Sequence, residues 1–247
     1  FQKIIYINYS INFSMRKNMK YFILITTVIF ASSSFSDDGP FLGIFGIKTN
    51  SPLEIVAAAD QLNKECKNPD GVTVTLMSEN LNGSEEMTHS FLVGFPNNAA
   101  YVDWTNSIST CPGWAKYFEA VQPISESVTE ALAFPLAGGG DASKDTVFVN
   151  FFVNVSRPDK FLPAYNKLME DNEGCPGSWG LFAMGPGVQP EEYGTHIAFC
   201  GYPDLASYME QAQVRVPTKE FQRFIRKTFR ISEIKGITSS SVVKRYN

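Results

Sequence analysis

The sequence predicts an α+β fold built twice in succession, each unit running strand, helix, strand, strand, helix, strand. Internal self-similarity predicts the doubling. Thr88 to Tyr101 lies over Thr195 to Tyr208 at an offset of 107 residues, with six of fourteen positions identical, among them the pairs Thr88-His89 and Thr195-His196. The same offset sets Phe45 on Phe152, Ala57 on Ala164 and Leu62 on Met169. Between the copies, Ala137 to Lys144 is small and polar, the composition of a linker. Overall balance supports a folded protein: 247 residues, 44% apolar and 19% charged, is enough chain for two small cores. The expected division is residues 1–36 as upstream sequence and leader, 37–137 as the first repeat, 138–145 as linker and 146–247 as the second repeat.

Each element has a local reason. Phe41 to Lys48 and Thr146 to Val155 are rich in β-branched and aromatic residues and read as first strands. Asn50-Ser51-Pro52 and Ser156-Arg157-Pro158 start helices, because serine caps and proline is tolerated in the first turn. These helices are expected to run to about Cys66 and Glu170. Turns follow at Asn68-Pro69-Asp70-Gly71 and Gly174-Cys175-Pro176-Gly177, then strands Val72 to Ser78 and Trp179 to Met184. The matched Thr-His strands come next. Phe95-Pro96 and Tyr202-Pro203 lead into second helical stretches, and last strands close the units near Ser127 to Phe134 and Ile231 to Val243. This order is the ferredoxin-like split βαβ unit. Its helices cover one sheet face, and apolar side chains on both faces of Phe91 to Phe95 predict that the two sheets pack together into a pseudo-dimeric barrel.

The amino-terminal region and the cysteines speak to compartment. Arg16, Lys17 and Lys20 precede an apolar run from Tyr21 to Ala31 and the small residues Ser34 and Ser36, the pattern of a secretory leader cleaved after Ser36. About eleven apolar residues fall short of the roughly twenty a membrane span needs. Removing residues 1–36 takes away four cations and no acids, which moves the net charge from -4 to -8. An acidic exported protein is a poor partner for nucleic acid or anionic lipid, so neither is expected. Cys66, Cys111, Cys175 and Cys200 would meet an oxidising compartment. Four cysteines allow three pairings. Cys200, inside an apolar strand pattern, reads as a buried thiol, leaving Cys66, Cys111 and Cys175 as candidate disulfide partners.

With these elements the chain resembles the dimeric α/β-barrel superfamily, which includes antibiotic-biosynthesis monooxygenase-like and stress-responsive barrel domains. The resemblance rests on the topology, the aromatic-Pro-(Asn/Asp) entry at Phe95-Pro96-Asn97 and Tyr202-Pro203-Asp204, and the broken helix from Trp104 to Val121. It spans nearly all of residues 37–247 and implies fold, because no catalytic motif of the family is matched residue by residue.

Chemistry is sparsely signalled. His89 and His196, the only histidines, occupy equivalent positions and are the candidates for proton transfer or for ligating haem or holding a ligand. Phe91, Trp104 and Phe199 are candidate walls of an apolar ligand site. Glu85-Glu86 and Glu191-Glu192 read as solvated loop residues. No nucleotide-binding, hydrolase or zinc signature occurs, and neither a metal nor a cofactor is expected. The expected function is therefore a non-catalytic exported protein, monomeric or homodimeric, that binds a small apolar ligand or a protein partner. The alternatives are a cofactor-independent oxygenase-like enzyme using His89 or His196, and a haem-binding barrel.

Overall fold

In the computed structural model, β-branched and aromatic runs form strands and proline-started runs form helices, in the order expected of each repeat. The structure describes residues 39–83, 85–170, 175–214 and 218–246; the expected leader and Gly174 of the second turn lie outside the described residues. The first repeat comprises β1 (Phe41–Thr49), α1 (Pro52–Glu65), β2 (Thr73–Leu81), β3 (His89–Phe95), α2 (Asn98–Thr110), α3 (Pro112–Val121) and β4 (Ser125–Gly139). The second comprises β5 (Val147–Val155), α4 (Pro158–Glu170), β6 (Trp179–Met184), the short α5 (Pro190–Tyr193), β7 (His196–Tyr202), α6 (Leu205–Val214), α7 (Lys219–Thr228) and β8 (Ser232–Tyr246). Pro112, at the start of α3, breaks the second helix of the first repeat, since proline cannot donate the hydrogen bond that would continue α2. Among the described residues no helix is long and apolar enough to cross a membrane.

The eight strands close into one antiparallel barrel of order β1-β3-β2-β8-β5-β7-β6-β4. Each repeat supplies four neighbouring strands, and the last strand of each is long enough to pair twice. β4 pairs with β1 through residues 125–133 and then with β6 through 133–139, while β8 pairs with β5 and then with β2. Those two joints fuse the sheets. The predicted linker is accordingly shorter than 138–145. Gly138 and Gly139 are strand residues opposite Gly180 and Trp179, and one turn of 3-10 helix at Ala142–Lys144 makes the connection.

Strand pairing also corrects the repeat alignment. Ile47 faces His89 as Val153 faces His196, so the third strands match at an offset of 107 but the first strands match at 106. A one-residue slip moves a side chain to the other sheet face. Phe45 therefore corresponds to Phe151 and packs under the helices, whereas Phe152 faces the barrel interior.

The outer face of the barrel carries the helices and most of the core. In the second repeat, Phe161, Tyr165 and Met169 of α4 pack on Val149, Leu181 and Ala198. The Tyr165 hydroxyl donates to the Gly180 carbonyl at 2.9 Å, so the ring is buried without an orphaned polar atom. The first repeat divides its core between an aromatic cluster around Phe95 and Trp104 and an aliphatic one around Ile55 and Leu76.

Two disulfides fasten this outer layer. Cys66 at the end of α1 is joined to Cys111 at the α2–α3 break, and Cys175 before β6 is joined to Cys200 of β7. The expectation of a free buried thiol at Cys200 is thus corrected. Its side chain points outward from β7 to where the segment before β6 crosses, and an apolar strand context suits a half-cystine as well as a thiol.

Candidate functional site

Alternation along the strands decides which side chains enter the barrel. Each strand sends every second residue inward, and these residues enclose a cavity of about 450 Å³. Its walls differ. Phe148 of β5, Phe199 of β7 and Phe182 of β6 form a continuous aromatic face, with ring centroids 5.8 Å apart for the first pair and 6.0 Å for the second. Gly180 makes this face possible, because a Cβ there would collide with the Phe199 ring. On the other side β2 contributes the row Thr73, Thr75, Met77 and Glu79, flanked by Ser90 of β3 and by Thr238 and Ser240 of β8. Gly46 similarly leaves room for the Met87 thioether.

Glu79 is the acidic residue on the cavity wall. Ser90 Oγ donates to Glu79 Oε1 at 3.2 Å, and the Ser90 side chain is itself buried. Among the described residues no Lys or Arg forms an ion pair with this carboxylate. Burial pushes the Glu79 carboxyl up to about 7, against the weaker opposing pull of the Ser90 hydrogen bond. Arg245 is the cation on the wall, and its Nη2 donates to the carbonyls of Ala142 at 3.1 Å and Asp145 at 2.5 Å. Tyr193 completes the lining beside Thr129 and spans the two repeats by donating its hydroxyl to Glu85 Oε2 at 3.2 Å. Glu85 is thus engaged, while Glu86 forms only an exposed pair with Lys48, as a solvated loop residue would.

Of the residues singled out in the sequence, Phe199 alone faces the cavity. His89 and His196 begin β3 and β7 on the outward register, buried beneath the helices. His196 packs on the Phe161 ring of α4. Each imidazole Nδ1 sits beside the preceding threonine hydroxyl, at 3.1 Å from Thr88 and 2.8 Å from Thr195. Burial lowers both histidines below their ordinary value, which favours the neutral ring. The threonines have a matched duty. Thr88 Oγ1 accepts from the Thr49 N–H and Thr195 Oγ1 from the Val155 N–H, so each Thr-His pair secures the end of a neighbouring strand. Phe91 also points outward, edge-on to Tyr117, and Trp104 is packed among Phe45, Phe95 and Trp114. Glu79 was missed because the predicted strand stops at Ser78, and Ser90 because its strand was read for His89 and Phe91; Thr73, Thr75 and Glu79 on one face of β2 were the available signal.

No protein-family model matches the chain, and no curated protein does. Solved structures do. A candidate monooxygenase from Fusobacterium nucleatum superposes with a TM-score of 0.55 at 15% identity, covering 85% of this chain and 95% of that one. An anthrone oxidase-like protein gives 0.53 at 12% identity, covering 85% and 93%. A haem-binding protein from Thermus thermophilus gives 0.50 at 8% identity, covering 84% and 92%. At these identities the likeness is one of architecture. The chain has the dimeric α/β-barrel fold, with both halves of the barrel supplied by one polypeptide.

Proposed function

We propose that this protein binds one small, largely apolar molecule inside the barrel, and that it does so after export. The observation that carries the reading is the cavity of about 450 Å³, with an aromatic wall and a few convergent polar groups, which is the usual make-up of a small-molecule site. The export part draws support from the leader pattern and from four described cysteines all paired in disulfides, a state that persists in oxidising compartments. Structural likeness to a candidate monooxygenase and a haem-binding protein supports a ligand-holding interior in general terms. Chemistry through His89 or His196 loses support, because both rings sit under the helices and neither lines the cavity. For the same reason haem ligated by either histidine does not fit.

Native mass spectrometry of protein purified from its own host, compared with the denatured mass, tests the reading directly. A retained molecule is expected, or else uptake of the uncharged dye N-phenyl-1-naphthylamine with one-to-one stoichiometry. Thr75→Trp, which fills the interior from β2, should weaken dye uptake by about tenfold or more while leaving the fold intact by circular dichroism. Dye binding unchanged in that variant would place the dye outside the barrel and refute the proposal.

A further inference from the structure

We infer that the interior is built for an asymmetric ligand, a flat aromatic molecule bearing one protonated amine, with Glu79 and Ser90 receiving the amine and Phe148, Phe199 and Phe182 receiving the ring. The inference rests on the cavity reading above and names the ligand class.

The duplication supplies the first argument. Strand register makes Val74 the counterpart of Trp179, and hence Glu79 the counterpart of Met184 and Ser90 that of Ile197. The second repeat closes its half of the barrel with Met184 and Ile197 at those places, so packing does not require a carboxylate there. A partly buried carboxylate with one neutral donor costs stability, and a cost without a structural return points to a ligand.

Geometry supplies the second. Glu79 is opposite Ser240, which is opposite Phe148, so the carboxylate and the start of the aromatic face share one row around the wall, two strand spacings or roughly 10 Å apart. A two-ring molecule spans that interval. The lining cation does not interfere: Arg245 faces Thr75, four residues before Glu79 on β2 and about 13 Å along the strand, and its guanidinium is committed to two carbonyls. The ligand amine would supply the counter-charge that the protein withholds from Glu79, and the phenylalanine faces would stack on the flat ring. A carboxyl held to about 7 by burial is ready to ionise when such a partner arrives.

Calorimetric titration of the intact protein at pH 8 with three matched probes tests this: 2-naphthylmethylamine, 2-naphthalenemethanol and 2-naphthoic acid. The amine should bind about tenfold or more tighter than the alcohol, and the acid weakest. In Glu79→Gln the preference for the amine should fall to about twofold or less while affinity for the alcohol is kept. Glu79→Met, which installs the residue the second repeat carries, should behave alike if the glutamine variant folds poorly. An alcohol that binds as tightly as the amine, or a preference that survives both variants, overturns the assignment but leaves an apolar cavity. Failure of all three probes to bind overturns both readings.

Discussion

A carboxyl inside an apolar barrel ties the stability of the fold to pH, and the sign can be worked out for Glu79. Its folded midpoint of about 7 lies above the ordinary value of 4.5. Between these pH values the unfolded chain has released the proton and the folded chain still holds it, so stability falls as pH rises through this window and levels off above it. Glu79→Gln removes the effect. The stability difference between variant and native protein should shift in favour of the variant by on the order of 2 kcal/mol from pH 4 to pH 8, read from urea melts at the two pH values. A constant difference would mean that Glu79 ionises normally. The buried histidines act in the opposite sense: with folded values lowered by desolvation, they withdraw stability as pH falls through about 6.5. At this scale the sequence was a partial guide. Phe199 was legible as a wall residue, but the histidines drew attention by imidazole chemistry and by their equivalent positions, and equivalence in a duplicated fold is equally a mark of shared scaffolding.

Elements were easier to read than their faces. Pro52 and Pro158 begin helices where local chemistry says they should, and Trp179–Met184 is a strand over the predicted residues. Facing was illegible because β1 and β5 are apolar on both sides, Phe45 under helices and Phe152 in the cavity, so composition left the one-residue slip unmarked. The Thr-His motif gains its meaning here as well. Thr88 and Thr195 each satisfy a backbone N–H at the end of the adjacent strand, Thr49 in one repeat and Val155 in the other. Replacing either by valine keeps the shape and removes the acceptor, at an expected cost of about 1 kcal/mol each and roughly twice that together. Affinity for cavity probes should not change. Thermal melts paired with dye titrations separate the outcomes, and a loss of binding without a loss of stability would move these residues from scaffold to site.

On the scale of the whole molecule, closure is the governing fact. A four-stranded sheet of one repeat would expose two edges and an apolar face, and such edges invite association. Pairing β2 with β8 and β4 with β6 removes both edges within one chain and puts the apolar faces around the cavity. The interrepeat bond is thus chiefly a pair of extended strand ladders, and the covalent link at Gly140 to Asp145 adds chain connectivity and a few local hydrogen bonds, from Arg245 to the Ala142 and Asp145 carbonyls and from Ser178 to the Asp145 carboxylate. Much of this was implied by the duplicated pattern, whereas the double pairing of β4 and β8 was not, since nothing in the run of Ser125–Gly139 marks where it leaves one partner strand for the next. Cutting the connection tests the balance of forces. With a protease site inserted at the exposed Asp141 turn, the nicked protein should elute as a single species of the full mass, keep its far-ultraviolet spectrum and still take up the cavity dye, because seven residue pairings between β2 and β8 and six between β4 and β6 hold the halves together. The nicked form should also melt at a lower temperature that depends on concentration, as a bimolecular complex must. Halves that separate on nicking would show that the tether, and not the two ladders, keeps the barrel closed.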